Sequence, residues 1–235
     1  MKITLLTGKT YKIKEAFDFD LKIIQSTTAK RLTLRVDSKE RIPVLTIPKY
    51  CSAKKAIEFV NSNEEWLGRQ LLYIPRPKTF QHKDEVSIMG KTYTIKHDPK
   101  LRAGVFIEDG TLYVSGNKEF LHRRVVDFIR ATAKKQLSEM TRKMAEKINH
   151  KVNNIVIKDT KSRWGSCSSN KNINYTWRIA LAPAEVIRYL VAHEVSHLKH
   201  QDHSREFWTC VRTLERRASY GRNWLKLYGK ELYCY

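Results

Sequence analysis

The alternation of apolar and polar residues along the first half of the chain predicts short β-strands. Residues 31–36, R-L-T-L-R-V, place an apolar side chain at every second position. Side chains that alternate in this way lie on one face of a strand. Asp109-Gly110 separates two further apolar runs, 105–108 and 111–115, and this dipeptide is typical of a tight hairpin turn. We therefore predict a strand-rich N-terminal region over residues 1–115.

Two segments instead carry apolar residues at spacings near three and four, which is typical of amphipathic helices. The first covers about 53–73 and is interrupted in part by Asn61-Ser62-Asn63; the second covers about 118–149. Between them, Pro75-Arg76-Pro77 is the clearest break in composition and predicts a turn between units. The long helix would open a second region over residues 116–235.

The second region contains two more short strands before its next helix. Residues 155–157 form one apolar run, and a polar turn over 159–172 separates it from a second strand over 173–179. A strand next to a functional helix is a candidate for holding an extended peptide at the sheet edge. The pattern as a whole predicts an α+β fold, in which a strand-rich N-terminal half accompanies a more helical C-terminal half.

The helix that follows carries the strongest candidate chemistry. His193 and His197 lie four residues apart, with Glu194 next to the first histidine, in an HExxH pattern. Residues i and i+4 share one helix face, so both imidazoles can reach one ion. Zinc binds neutral nitrogen ligands in a tetrahedron, and a catalytic site leaves one position open for water. Glu194 is then placed to take a proton from that water.

A third protein ligand is needed, and spacing favours His203. His200 shares the helix face but lies seven residues beyond the first histidine, about 10 Å along the helix axis, which is too far for one ion. If the chain turns back near His200, His203 can approach the ion from the side, and Ser204 reads as the N-cap of a new helix. Glu206 and Glu215 are the alternatives that a glutamate-ligand zinc peptidase would use.

Composition bears on the possible partners of the protein and on its cellular location. The net charge is +21, from 45 Lys and Arg against 24 Asp and Glu, which favours non-specific contact with nucleic acid or other anions. No apolar run reaches the length of about 20 residues that spans a bilayer, and the first ten residues lack a signal-peptide core. The four cysteines are far apart and predict free thiols. We expect a cytoplasmic protein.

These motifs together resemble a known family. S-R-W-G-S-C-S at 162–168, then H-E-x-x-H-L-K, then H-S-x-x-F-W are similar to the YgjP-like metallopeptidases, bacterial zincins related to the SprT-like and WLM families. Residues 31–36 and 59–67 also resemble the amino-terminal half of that family. The resemblance implies a zincin-like core, His193, His197 and His203 as Zn²⁺ ligands, and Glu194 as the catalytic base.

Three functions remain in competition at this point. The first is a zinc metallopeptidase that acts on a peptide or protein substrate, in which Arg163 is a candidate substrate-binding residue. The second keeps the metal site but hydrolyses a nucleoside triphosphate, because some YgjP-like proteins are described as UTP pyrophosphatases. The third is not an enzyme: a basic nucleic-acid-binding module with a structural zinc, which would close its metal site with four protein ligands.

Overall fold

The computed structural model describes residues 2–4, 10–12, 21–37, 42–72, 77–160 and 162–235. The chain forms two compact units, Met1–Pro75 and Arg76–Tyr235. The boundary coincides with the predicted turn at Pro75-Arg76-Pro77, of which the first two residues lie outside the described part. The predicted boundary near residue 115 falls inside the second unit, because the strands before it share one hydrophobic core with the helix after it.

The first unit contains small sheets and two helices. Strand β5 lies at the centre of a three-stranded sheet, parallel to β3 and antiparallel to β4. The sequence predicts one helix here, but the structure contains two. The Asn63 side chain donates to the carbonyl oxygen of Phe59 at 2.7 Å, and the first helix ends there. Its elements are β1 (Lys2–Thr4), β2 (Thr10–Lys12), β3 (Lys22–Ser26), β4 (Thr33–Asp37), β5 (Ile42–Pro48), α1 (Ala53–Ser62) and α2 (Glu64–Leu72).

The second unit begins with a four-stranded mixed sheet that packs on a long helix. The strand order is β6-β7-β9-β8, and the predicted hairpin at Asp109-Gly110 joins β8 to β9. Buried residues of this sheet and of the helix, among them Leu112 and Ile129, belong to one core. The bounds are β6 (Glu85–Ile88), β7 (Lys91–His97), β8 (Val105–Glu108), β9 (Thr111–Val114) and α3 (Leu121–Lys147).

A second mixed sheet leads into the HExxH helix. Its order is β10-β12-β11, so β12 lies between two partners, parallel to β10 and antiparallel to β11. The predicted strand over 173–179 ends at Thr176, and a 3-10 turn over Trp177–Leu181 leads into the helix. The bounds are β10 (Asn154–Lys158), β11 (Gly165–Cys167), β12 (Asn172–Thr176) and α4 (Ala184–Ser196).

Two further helices and a short tail complete the second unit. They are α5 (Arg205–Leu214), α6 (Ala218–Tyr228) and a 3-10 segment over Gly229–Cys234. The tail is docked on the core: Leu232 is buried, and the Tyr235 ring stacks on Phe80 with centroids 4.3 Å apart. All four cysteines are free thiols. Among the described helices, none combines the length and the apolar composition that a membrane span needs.

Candidate metal centre

Helix α4 and its C-cap residue, His197, hold the HExxH motif within the core of the second unit. Apolar residues on almost every side of the helix are buried, including Val191 before the motif and Val195 within it. Such burial fixes the helix in position, since tertiary packing supplies most of the stability of a helix this short. His193 and His197 lie one turn apart, with ring centroids 5.0 Å apart.

The chain turns back after α4 and brings His203 to the same place. His200 N–H donates to the carbonyl oxygen of Ser196 at 2.9 Å, which closes the last turn. The Ser204 hydroxyl accepts from the N–H of Phe207 at 3.3 Å and caps α5, as the sequence predicted. His203 therefore lies immediately before a helix whose start is fixed, and its imidazole faces those of α4.

The three imidazoles fit a zinc ion. One nitrogen from each of His193, His197 and His203 lies within 4.8 Å of the other two. The Nε2 atoms of His193 and His203 are 3.3 Å apart. Tetrahedral ligands at the usual Zn–N distance of about 2.05 Å would be separated by about 3.3 Å. The arrangement thus matches the donor type and, for this pair, the spacing that zinc requires.

Local contacts orient these rings. The Nδ1 of His197 lies 3.0 Å from the backbone carbonyl oxygen of His200. Because a carbonyl oxygen only accepts, this nitrogen carries the proton and leaves Nε2 free to bind a metal. The buried Phe207 ring contacts all three imidazoles, with centroids 4.5 to 5.0 Å away. His200 thus contributes its backbone to the site, whereas its side chain lines a different pocket with Glu206.

The imidazoles of α4 are held neutral. Burial lowers the pKa of His193 to about 3, and the charges of His197, His203 and Arg222 act in the same direction. Burial also lowers the pKa of His197. A neutral imidazole is the form that binds a metal, so protons compete weakly for these two nitrogens at neutral pH.

Glu194 is a buried carboxyl beside these histidines. Only 4% of the residue is exposed. Burial raises the pKa of Glu194 to about 8, and the charge of the nearby Arg163 opposes this rise. A buried, unpaired carboxylate is costly, which favours the protonated form of Glu194 unless a cation lies beside it.

Gly165 makes room for the Glu194 side chain. A Cβ atom at residue 165 would lie 2.5 Å from the Oε1 of Glu194 and 2.8 Å from its Cδ and Cγ. The backbone of β11 therefore runs directly against the carboxyl group. The sequence predicts a polar turn for these residues rather than a strand, because the three strand residues, G-S-C, carry no apolar alternation. The one sequence feature that marked this segment was the R-W-G-S-C motif, which is part of the family resemblance.

The strand that the sequence suggested for holding a peptide does not lie at an edge of its sheet. The strand β12, which the sequence suggested, has both edges paired, to β10 and to β11. Backbone groups that already form a ladder cannot accept another strand. Strand β11 lies at the end of the strand order, and the backbone of its Gly165 lies against Glu194.

The two alternative ligands lie elsewhere. Glu215 is buried, and its Oε2 accepts from the Nε of Arg188 at 2.8 Å. Glu206 is exposed and lines a pocket with Thr209 and Cys210. The Cys167 thiol stays protonated, since burial and the Glu194 charge raise its pKa to about 11. Among the described residues, the group of side chains able to hold a metal at this place contains the three histidines alone.

Arg163 and the tail lie on the side of the site formed by β11. Arg163 is exposed, and its charge reaches the Glu194 carboxyl. The Trp164 ring stacks on Tyr233 at 4.6 Å, and a Cβ on Gly229 would lie 2.9 Å from the same indole. The tail thus packs against the residue that precedes Gly165, and Tyr233 supports the loop through Trp164.

Two comparisons with known proteins found similarities to this chain. No curated protein matches the chain. Among solved structures, the metallopeptidase zymogen of Pyrococcus abyssi abylysin is similar to part of this chain. The match covers 39% of this chain and 94% of the abylysin chain, at 22% identity and a TM-score of 0.35. The model of the YgjP-like family, described as a metallopeptidase domain, matches residues 30–228. These residues are most of the chain and include α4, β11 and α5. The chain has the α+β fold predicted for a zincin-like protein and belongs to the YgjP-like metallopeptidase family.

Proposed function

We propose that this protein is a zinc-dependent metallopeptidase, in which His193, His197 and His203 hold the ion and Glu194 is the general base. The observation that carries the proposal is the convergence of three imidazole nitrogens within 4.8 Å beside a buried carboxyl. Family membership supports a metal-dependent peptidase in general. The ligand set and the base are the specific part of the proposal.

Three protein ligands favour a catalytic site over a structural one. Structural zinc sites usually close with four protein ligands, whereas catalytic sites use three and leave a position for water or substrate. The described residues offer three at this place. This supports an enzyme rather than a binding module with a structural zinc.

The chain supplies proton transfer and substrate placement. Bound zinc would lower the pKa of a water ligand toward about 7 and polarise the scissile carbonyl group. Glu194 accepts the proton from the attacking water and gives it to the departing amine. A carboxyl whose pKa is raised toward neutrality by burial is suited to both steps near neutral pH, and the charge of Arg163 helps it to ionise.

The substrate would be an extended peptide that adds to the edge of β11. One edge of β11 pairs with β12 from Gly165 to Cys167. The backbone at Gly165 lies against Glu194, so a peptide on the other edge would pass the general base. Backbone hydrogen bonds of this kind bind a peptide with little dependence on its sequence. In this proposal, Arg163 would contact a substrate carbonyl or carboxylate there.

The test compares wild type with Glu194→Gln, each loaded with zinc. We expect the variant to retain its zinc, because Glu194 is not a ligand, and to lose about 10²- to 10⁴-fold in the rate of casein cleavage, the usual contribution of general acid–base catalysis. Glu206→Gln, an exposed carboxyl outside the site, is the matched control and should cleave at the wild-type rate.

A chelator and a second substrate class complete the test. Chelation should abolish casein cleavage by wild type, and added zinc should restore it. Full activity of Glu194→Gln would refute the assignment of the base. Zinc-dependent hydrolysis of nucleoside triphosphates without any cleavage of casein would favour the pyrophosphatase alternative.

A further inference from the structure

A pocket lined by three arginines adjoins the candidate metal centre. It lies between α5 and α6, has a volume of about 360 Å³, and is lined by Arg205, Trp208, Arg212, Ala218, Ser219 and Arg222. This volume is near the lower end of the range of about 300 to 1,000 Å³ for ligand pockets. It suits one or two side chains of a substrate better than a large cofactor.

Trp208 is shared between this pocket and the metal centre. Its indole centroid lies 5.9 Å from the ring of His203 and 5.8 Å from that of His193. The guanidinium carbon of Arg222 lies 4.7 Å from the centroid of the same indole. A group bound at Arg222 would therefore be only one aromatic ring away from the histidines.

The three guanidinium groups lack acidic partners. No ion pair with Asp or Glu involves Arg205, Arg212 or Arg222 within the described part of the chain. Arg212 donates to the hydroxyl of Thr209 at 3.2 Å, which satisfies one of its five donors. Elsewhere in the same unit, arginines do pair with carboxylates: Arg178 with Asp159 and Arg188 with Glu215.

Three like charges around one concave surface repel each other and focus a positive potential into it. An anion in the pocket relieves this repulsion, and guanidinium groups bind carboxylates through paired, charge-assisted hydrogen bonds. The cation–π contact with Trp208 restricts the Arg222 side chain before any ligand arrives. These features distinguish the pocket from the dispersed lysines and arginines that make the whole chain basic.

We propose that this pocket is a substrate subsite that binds the carboxylate of an acidic side chain, Asp or Glu, in a peptide whose scissile bond lies at the metal centre. The proposal rests on the proposed peptidase function, because it assigns one position of the substrate to the pocket. It adds a sequence preference to a site whose backbone contacts at β11 are otherwise tolerant of sequence.

The experiment measures peptide binding to the zinc-loaded, full-length Glu194→Gln protein, so that binding is separated from cleavage. Fluorescein-labelled peptides come in pairs that differ by Glu or Gln at one position, and this position is moved along the peptide. Each pair is measured in the Glu194→Gln background alone and with Arg222→Gln, Arg205→Gln or Arg212→Gln. Arg216→Gln, an exposed arginine outside the pocket, is the control for the loss of one charge.

We expect one register in which the Glu peptide binds about 10- to 100-fold more tightly than its Gln partner, the range for a charge-assisted contact. Arg222→Gln should remove most of this preference, and Arg216→Gln should leave it intact. Thermal unfolding of each variant shows whether it is folded; the other two arginine variants test the pocket independently of Arg222.

Equal binding of Glu and Gln peptides in every register overturns the proposal. So does a preference that Arg216→Gln reduces as much as the pocket variants do, since it would then reflect overall charge. If inorganic pyrophosphate binds in an Arg222-dependent manner while the peptide pairs bind equally, the pocket serves phosphate and the peptide subsite is wrong. If wild type cleaves none of the peptides but the Arg222-dependent preference is present, the subsite stands and the proposed peptidase function fails.

Discussion

The substitution Gly165→Ala tests whether the exact place of the Glu194 carboxyl group matters. The added Cβ would lie 2.5 Å from Oε1, whereas ordinary van der Waals contact begins at 3.4 Å. The carboxyl oxygen would therefore have to retreat by about 0.9 Å. The contacts of 2.8 Å to Cδ and Cγ mean that rotation of the carboxyl group alone cannot relieve the clash, and burial of Glu194 limits how far the rest of the side chain can move.

Such a displacement has a calculable effect on turnover. A misplacement of about 1 Å in a catalytic group typically costs about 100-fold in rate. We expect kcat for casein or a fluorogenic peptide to fall by about that factor in Gly165→Ala. Zinc content should be unchanged, because the atoms nearest to the added Cβ all belong to Glu194 and the proposed ligands are the three histidines.

The control is Gly68→Ala. Gly68 lies in α2, and a Cβ there would meet nothing within 4 Å, so alanine should be tolerated or slightly stabilising in the helix. Thermal unfolding of both variants separates loss of catalysis from loss of the fold. Wild-type kcat in a folded, zinc-loaded Gly165→Ala protein would refute the reasoning, because the base would then not depend on its position against β11.

Three further predictions concern the ligands, the carboxyl group and the cap. His203→Ala should weaken zinc affinity by more than about 100-fold, since loss of a group that merely supports a ligand already costs 10- to 100-fold; competition with a chromogenic chelator measures this, and unchanged affinity would exclude His203 as a ligand. In metal-free protein, burial raises the pKa of Glu194 from a reference value of 4.5 to about 8. The protonated carboxyl therefore favours folding below pH 4.5, and this stabilisation is lost as pH rises toward 8. In urea unfolding at several pH values, the free energy of unfolding of wild type should fall relative to that of Glu194→Gln by on the order of one to five kcal/mol across this interval. Parallel pH profiles of the two proteins would contradict the buried, unpaired state of the carboxyl. Ser204→Ala should lower the free energy of unfolding by about 1 kcal/mol through loss of the α5 cap, and it should also weaken zinc binding, because that cap fixes the residue after His203; an unchanged zinc affinity would show that the turn holds its position without the cap.

The parts of the candidate site that lie close together in sequence could be predicted. Helical periodicity alone places His193 and His197 on one face with Glu194 beside them. The third histidine needed more: its prediction rested on a turn after α4 and on Ser204 as a cap, both of which the structure contains. Glu215 could be set aside only in three dimensions, where it pairs with Arg188.

The pattern of residues along the chain was sufficient to predict the α+β character, the HExxH helix, and the capped start of α5 that follows His203. Each depends on interactions between residues within about ten positions of one another, so the spacing of residue types along the chain predicts it. Three features follow from three-dimensional packing alone: Gly165 lies against Glu194, β11 rather than β12 lies at the end of its sheet, and arginines from α5 and α6 share one pocket. These features join residues far apart along the chain, and their positions are set by how the helices and the sheet pack against a common core.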